Sequence, residues 1–473
     1  MKKHNDFLIS ALSPGDEVRT EEILTWMKQK NESTCYALKQ VPLSQLQGWS
    51  YRNDRIEHES GKFFSIQGIR VSTNYGKVPQ WEQPIINQPE IGFLGFITQK
   101  KNGVLYFLMQ AKIEPGNMNV VQLSPTLQAT RSNYMRVHKG KTPLYLEYFT
   151  GEKPVDVLVD QLQSEQGARF YQKRNRNIIV EINEKENIPI YDNFVWVTLG
   201  QIKKLLREPN VVNMDTRTVV SCIHYGNYSR GGWQSVLENI PMGLAKSEHT
   251  QSLVRSLLDE ENHLHNLNEI IHWITSRKFK YELSVEKIGI SEMKHWVFDG
   301  DVIRHENGKY FSVIGVDVSI GNREVSTWSQ PMVKPAQEGL IGFLVKKIDG
   351  IYHFLVQAKL EPGNFDIVEM APTVQCLTGN YRNGQNEYTI PYIEYFMNPP
   401  IERVWYKAYQ SEEGGRFFKE QNLNIIVEVG DEFPIEVSEN YCWMTLNQLQ
   451  NFVTYNNYLN IAARSLLSAV NFY

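Results

Sequence analysis

The feature that most limits this chain is that its sequence repeats itself at a constant offset of 247 residues. Trp26 matches Trp273, Trp49 matches Trp296, and Trp81-x-Gln83-Pro84 matches Trp328-x-Gln330-Pro331. Gln110-Ala-Lys112-x-Glu114-Pro-Gly-Asn117 matches Gln357-Ala-Lys359-x-Glu361-Pro-Gly-Asn364. Further on, Pro125-Thr126-x-Gln128 matches Pro372-Thr373-x-Gln375, and Ser164-Glu165-x-Gly167-x-Arg169-Phe170 matches Ser411-Glu412-x-Gly414-x-Arg416-Phe417. The offset holds from about residue 20 to 207, so the halves are copies of one unit. The unit is too long for a solenoid repeat. Each copy is domain-sized and is expected to bury its own core. The expected division is a repeat over 1–207, a connecting segment over 208–266 with Arg230-Gly231-Gly232 as a loop, and a second repeat over 267–473.

Within a copy the pattern predicts an α+β unit, with mixed sheets flanked by helices. Ile23, Leu24 and Met27 give Thr20–Lys30 a helical period. Residues 62–66, 92–98, 104–112, 120–123 and 178–182 read as strands. Lys101-Asn102-Gly103 and its counterpart Ile348-Asp349-Gly350 are hairpin turns. Residues 157–173 read as a helix. Thr198-x-x-Gln201 and Thr445-x-x-Gln448 are capping boxes, each opening a short helix.

The bulk numbers exclude several classes. Net charge is −4, and no basic stripe marks a nucleic-acid surface. No run approaches ~18 apolar residues, which excludes a membrane-spanning helix, and the stretch from Phe7 to Leu12 is too short for a signal peptide. The four cysteines have no CxxC spacing and no zinc-type pairing with histidine, so a reducing cytoplasm is the expected compartment. There is no G-x-G-x-x-G, Walker loop, G-x-S-x-G or H-E-x-x-H, so no cofactor is expected.

Shared Trp, Phe and Gly suit any duplicated fold. Shared polar residues need partners if buried. Gln110, Lys112 and Glu114 alternate along a strand, so they share a face; Gln357, Lys359 and Glu361 repeat the row. A pocket wall is the favoured reading over a surface Lys–Glu pair, because both copies keep the whole octet through Asn117 and Asn364. Thr126, Gln128, Thr130, Arg131, Ser132 and Asn133, with Thr373, Gln375, Asn380 and Tyr381 in the second copy, offer hydroxyls and amides, with Arg131 a cation for phosphate and sugar oxygens. Trp81 and Trp328, each with its neighbouring Gln83 or Gln330, read equally as stacking platforms and as core. Arg169 and Arg416 read equally as pyrophosphate clamps and as helix caps.

Gln110–Asn117, Val121-Gln-Leu-Ser-Pro-Thr-Leu-Gln-Ala-Thr-Arg-Ser-Asn-Tyr134, Ala371-Pro-Thr-Val-Gln-Cys376 and Asn213-Met-Asp-Thr-Arg-Thr218 with Ser221-Cys222 resemble the NDP-hexose 2,3-dehydratases of deoxysugar biosynthesis. The resemblance covers nearly the whole chain. It implies two Nudix-like modules in a homodimer, a substrate of dTDP-4-keto-6-deoxyglucose type and loss of water across C2–C3. A 3-ketoreductase then acts on the product. The Nudix box itself is absent. Such an elimination needs a base at C3, a donor for the charge on O4 and an acid for the departing hydroxyl. The expected assignment puts Glu114 as base, Lys112 as enolate stabiliser and Tyr134 or His138 as acid. Copy one is expected to be catalytic, because its Arg131 and His138 become Thr378 and Gln385 in copy two. A non-catalytic nucleotide-sugar binder, a metal-dependent pyrophosphohydrolase and a purely structural scaffold are the competing readings.

Overall fold

The computed structural model describes residues 2–15, 17–130, 142–238, 247–321, 327–378 and 390–472. It shows mixed helices and sheets with the sheet modules duplicated. Each repeat contributes a seven-stranded sheet. In the first, the order is 156–164, 174–182, 93–101, 104–113, 194–198, with 121–124 and 127–129 added beside the central strands. Strand 174–182 runs parallel to 93–101 and the other pairings are antiparallel. The second repeat reproduces this arrangement, with 421–429 parallel to 339–348.

Local signals account for much of it. Asn102 and Gly103 both have positive φ (50° and 79°), as do Asp349 and Gly350 (49° and 76°), the backbone of a tight hairpin turn. Both capping boxes form: Gln201 N donates to Thr198 Oγ1 (3.2 Å) and Thr198 N to Gln201 Oε1 (3.0 Å), and Thr445 with Gln448 repeats both bonds. The helix expected over 157–173 is instead strand Asp156–Ser164 followed by a turn. Leu158, Val159 and Leu162 imitate a helical spacing, but the β-branched valines and a bulge between Val157 and Val159 fit the antiparallel pairing with Arg174–Ile182.

The equivalence between copies continues beyond 207. Helix Met214–Ser221 corresponds to Ile461–Ser468 at the same offset. The helices ahead of each repeat also correspond. Ser10 Oγ in Lys2–Leu12 donates to Leu105 O and accepts from Leu199 N, as Ser256 Oγ in Glu248–Leu258 does with Tyr352 O and Leu446 N.

The copies are not closed on themselves. The five-stranded sheet built on Ser65–Thr73 takes its outer strand, Leu283–Ile288, from repeat two. The matching sheet on Phe311–Ile320 takes Tyr36–Val41 from repeat one. One apolar core contains Phe96 and Phe107 together with Phe343 and Phe354, so it runs through both copies.

The two turns of the octets lock into this seam. Gly116 N donates to Gly414 O (2.7 Å) and Lys419 N to Gly116 O (2.8 Å); Gly363 N donates to Gly167 O (2.7 Å) and Gln172 N to Gly363 O (2.7 Å). The space a side chain would need at Gly116 is filled by the Phe417 carbonyl, and at Gly363 by that of Phe170. The Glu-Pro-Gly-Asn turn of each repeat is therefore seated on the Ser-Glu-x-Gly-x-Arg-Phe loop of the other.

Candidate active site at the seam between repeats

Strand 104–113 carries Gln110 and Lys112 to its end, and Glu114 follows in the turn. Lys112 Nζ donates to Gln128 O (3.0 Å), Gln128 Nε2 donates to Glu114 Oε1 (2.7 Å), and Asn213 Nδ2 donates to Gln128 Oε1 (3.2 Å). Asn213 also caps helix Met214–Ser221 by accepting from Thr216 N (2.9 Å). The second row has the same wiring: Lys359 to Gln375 O (3.3 Å), Gln375 to Glu361 (2.9 Å) and Asn460 to Gln375 (2.8 Å). Glu114 and Glu361 are buried and both lysines are half-buried, so neither row projects into bulk water.

The rows differ in what surrounds them. Asp215, two residues after Asn213, is buried beside the first row; its counterpart is Ala462. Glu413 enters from the loop of repeat two; its counterpart is Gln166. A side chain added at Gly415 would stand 2.7 Å from Glu413 Oε1 and 3.4 Å from Glu114 Oε1, so the two carboxylates flank one small space. Burial pushes the Glu413 carboxyl up to about 7; Arg416 opposes this, and the negative charges of Glu114 and Glu165 add to it. Burial also holds Asp215 well above the usual carboxylate range, with Glu114, Glu413 and Glu165 adding and Lys112 opposing. Row one thus combines an ammonium, an accepting carboxylate and two carboxyls that favour their protonated form. Around row two, burial raises Glu361, and brings Glu369 and Glu420 to about 7.

Other expected site residues serve the frame. Thr126 Oγ1 accepts from Ile97 N (2.9 Å) and donates to Leu108 O, and Thr373 does the same with Leu344 N and Leu355 O, so both hydroxyls are engaged inside the large sheets. Gln357 donates to Pro372 O (2.8 Å). Trp81 Nε1 donates to Gln83 Oε1, and Gln83 Nε2 donates to Ala168 O; Trp328 and Gln330 repeat both bonds, with Gln330 Nε2 donating to Gly415 O. These pairs fasten the two motif loops. Arg169 lies 4.1 Å over the Phe311 ring and Arg416 4.2 Å over Phe64, each crossing to the other repeat. Asn117 and Asn364 lie against Gly414 and Gly167. Gln110 and Thr130 are half-buried. Arg131, Ser132, Asn133, Tyr134, His138, Asn380 and Tyr381 lie outside the described residues. Two cavities, one around Lys203, Tyr225 and Gln450 and one around Arg207, His249 and Trp405, lie apart from both rows.

Sequence reasoning missed Asp215, Glu413 and Glu165, and Lys173, whose charge opposes the rise at Glu413. The signal was available: Asp215 and Glu413 sit inside motifs already singled out, at positions where one copy has an acid and the other does not.

The family model for NDP-hexose 2,3-dehydratase matches residues 20–223 and 267–470, and the chain belongs to that family. Three relatives, each named dTDP-4-dehydro-6-deoxy-alpha-D-glucopyranose 2,3-dehydratase, are similar along nearly their whole lengths. The protein from Saccharopolyspora spinosa is 41% identical over 98% of this chain and 94% of its own. That from Amycolatopsis orientalis is 36% identical over 99% and 95%, and that from Streptomyces violaceoruber 40% over 94% and 95%.

Proposed function

We propose that this chain is a carbon–oxygen lyase that removes water across C2–C3 of dTDP-4-keto-6-deoxyglucose, at row one. What carries the reading is the meeting of Glu114 of repeat one, wired to Lys112 through Gln128, with Glu413 of repeat two, alongside a family membership that spans both repeats. The C4 ketone acidifies the C3 hydrogen. Glu114 removes it, and Lys112 stabilises the charge that builds on O4. Glu413 gives its proton to the C2 hydroxyl, which leaves as water. The enol then tautomerises: Glu114 returns its proton to C2, and the O3 proton goes to Glu413. The product is the 3,4-diketo-2,6-dideoxy sugar, and both carboxyls are restored. Asp215, held neutral, acts as a hydrogen-bond donor without adding a third negative charge. Glu413 takes the acid's role first expected of Tyr134 or His138.

In this reading each module is Nudix-like, the chain works as a cytoplasmic homodimer, and a 3-ketoreductase consumes its product. The test is incubation with dTDP-4-keto-6-deoxyglucose, a 3-ketoreductase and NADPH. A 2-deoxy sugar formed in step with NADPH oxidation is expected. Unchanged sugar would overturn the assignment.

A further inference from the structure

We propose that Arg217 is a positioning residue that sets the acid Glu413 against Glu114, whereas its twin Arg464 has no such task. The inference rests on the reading of Glu413 given above. Arg217 is almost fully buried in helix Met214–Ser221. Its Nη2 donates to Ser411 O, Nη1 to Ser465 Oγ (2.9 Å) and Nε to Asn213 O (3.4 Å). Ser411 opens the loop of repeat two that continues into Glu412 and Glu413. Asn213 belongs to row one through Gln128, and it opens the helix turn that carries Asp215. One guanidinium therefore joins the two segments whose carboxyls must meet, one from each repeat. Its planar fork suits three fixed acceptors in a way that a lysine ammonium does not. Burial alone would disfavour its charge, and Glu412 opposes that.

Arg464 is the same residue by symmetry, and fully buried. It donates to Ser164 O, Thr218 Oγ1 and Leu459 O (3.3 Å). The loop it holds carries Gln166, which has no proton to give, and its helix carries Ala462 in place of Asp215. The two arginines thus share one structural environment but differ in the chemistry beyond it, so each is a control for the other.

The experiment compares Arg217→Lys, Arg464→Lys and Glu413→Gln in the full chain, by kcat, KM, the pH dependence of kcat, and urea denaturation. The two lysine variants are expected to lose similar stability. Arg217→Lys is expected to lower kcat by about 10²-fold, the scale of a ~1 Å misplacement. KM should change little, and the basic limb of the kcat profile should move. Arg464→Lys is expected to lower kcat at least about tenfold less, with that limb in place. Should Arg217→Lys not fold, Ser465→Ala against Thr218→Ala removes one equivalent acceptor from each arginine and is read the same way. Equal kcat losses from the two arginine variants, with Glu413→Gln impaired, overturn the role of Arg217 alone. An undiminished kcat in Glu413→Gln removes the acid itself and this inference with it.

Discussion

Burial sets the protonation of Glu413. Its carboxyl, brought to about 7, is the group at row one able both to hold a proton near neutrality and to release it. An acid must be protonated to act, so kcat is expected to fall about tenfold per pH unit above pH ~7. Glu413→Gln keeps the shape and removes the proton; the expected loss in kcat is about 10²–10⁴-fold, with the basic limb abolished. A pH–rate series on the two proteins checks both statements. A sequence alone could nominate Lys112 and Glu114, because both copies keep them. It could not place Glu413 beside them, since 299 positions of chain separate it from Glu114 and only the seam brings them together.

Among the elements, those fixed by neighbours in sequence were legible. Hairpin turns at Asn102-Gly103 and Asp349-Gly350 need positive φ, and the capping boxes need a Thr and a Gln three apart; both signals are local. Strand Asp156–Ser164 was misread because its apolar spacing fits two periods, and the partner strand decides between them. The exchange of Tyr36–Val41 and Leu283–Ile288 between sheets left no local mark at all. The Pro-Gly turns show what this costs in tolerance. At Gly116 a methyl group would collide with the Phe417 carbonyl, which is backbone and cannot swing aside. Gly116→Ala is expected to destabilise the chain by ~1–3 kcal/mol. It should also weaken turnover through the Glu114–Glu413 spacing. Urea denaturation alongside kcat measures both, and unchanged stability would mean that the turn is not seated as described.

For the whole molecule, exchanged strands and a shared core make the duplicated chain one body. Buried acids at the seam give it a pH signature. Glu369, Glu413 and Glu420 stand at about 7 in the fold against 4.5 for an ordinary glutamate. Between those values the folded chain holds protons that the unfolded chain has lost, so their contribution is complete below pH ~4.5 and is lost as pH rises through ~7. Lys203, lowered to about 7 by burial, has the opposite sign but acts above that window; His353, lowered to about 4 by burial, opposes within it, one group against three. The urea midpoint is therefore expected to be higher at pH 5.5 than at pH 7.5, and Glu369→Gln should reduce the difference. The central claim is that chemistry belongs to the row where repeat one meets Glu413. Its most direct measurement is kcat of Glu114→Gln beside kcat of Glu361→Gln, each in the otherwise intact chain and normalised to folded protein. The account predicts that the first loses far more turnover than the second. The reverse order, with turnover surviving in Glu114→Gln and vanishing in Glu361→Gln, would contradict it.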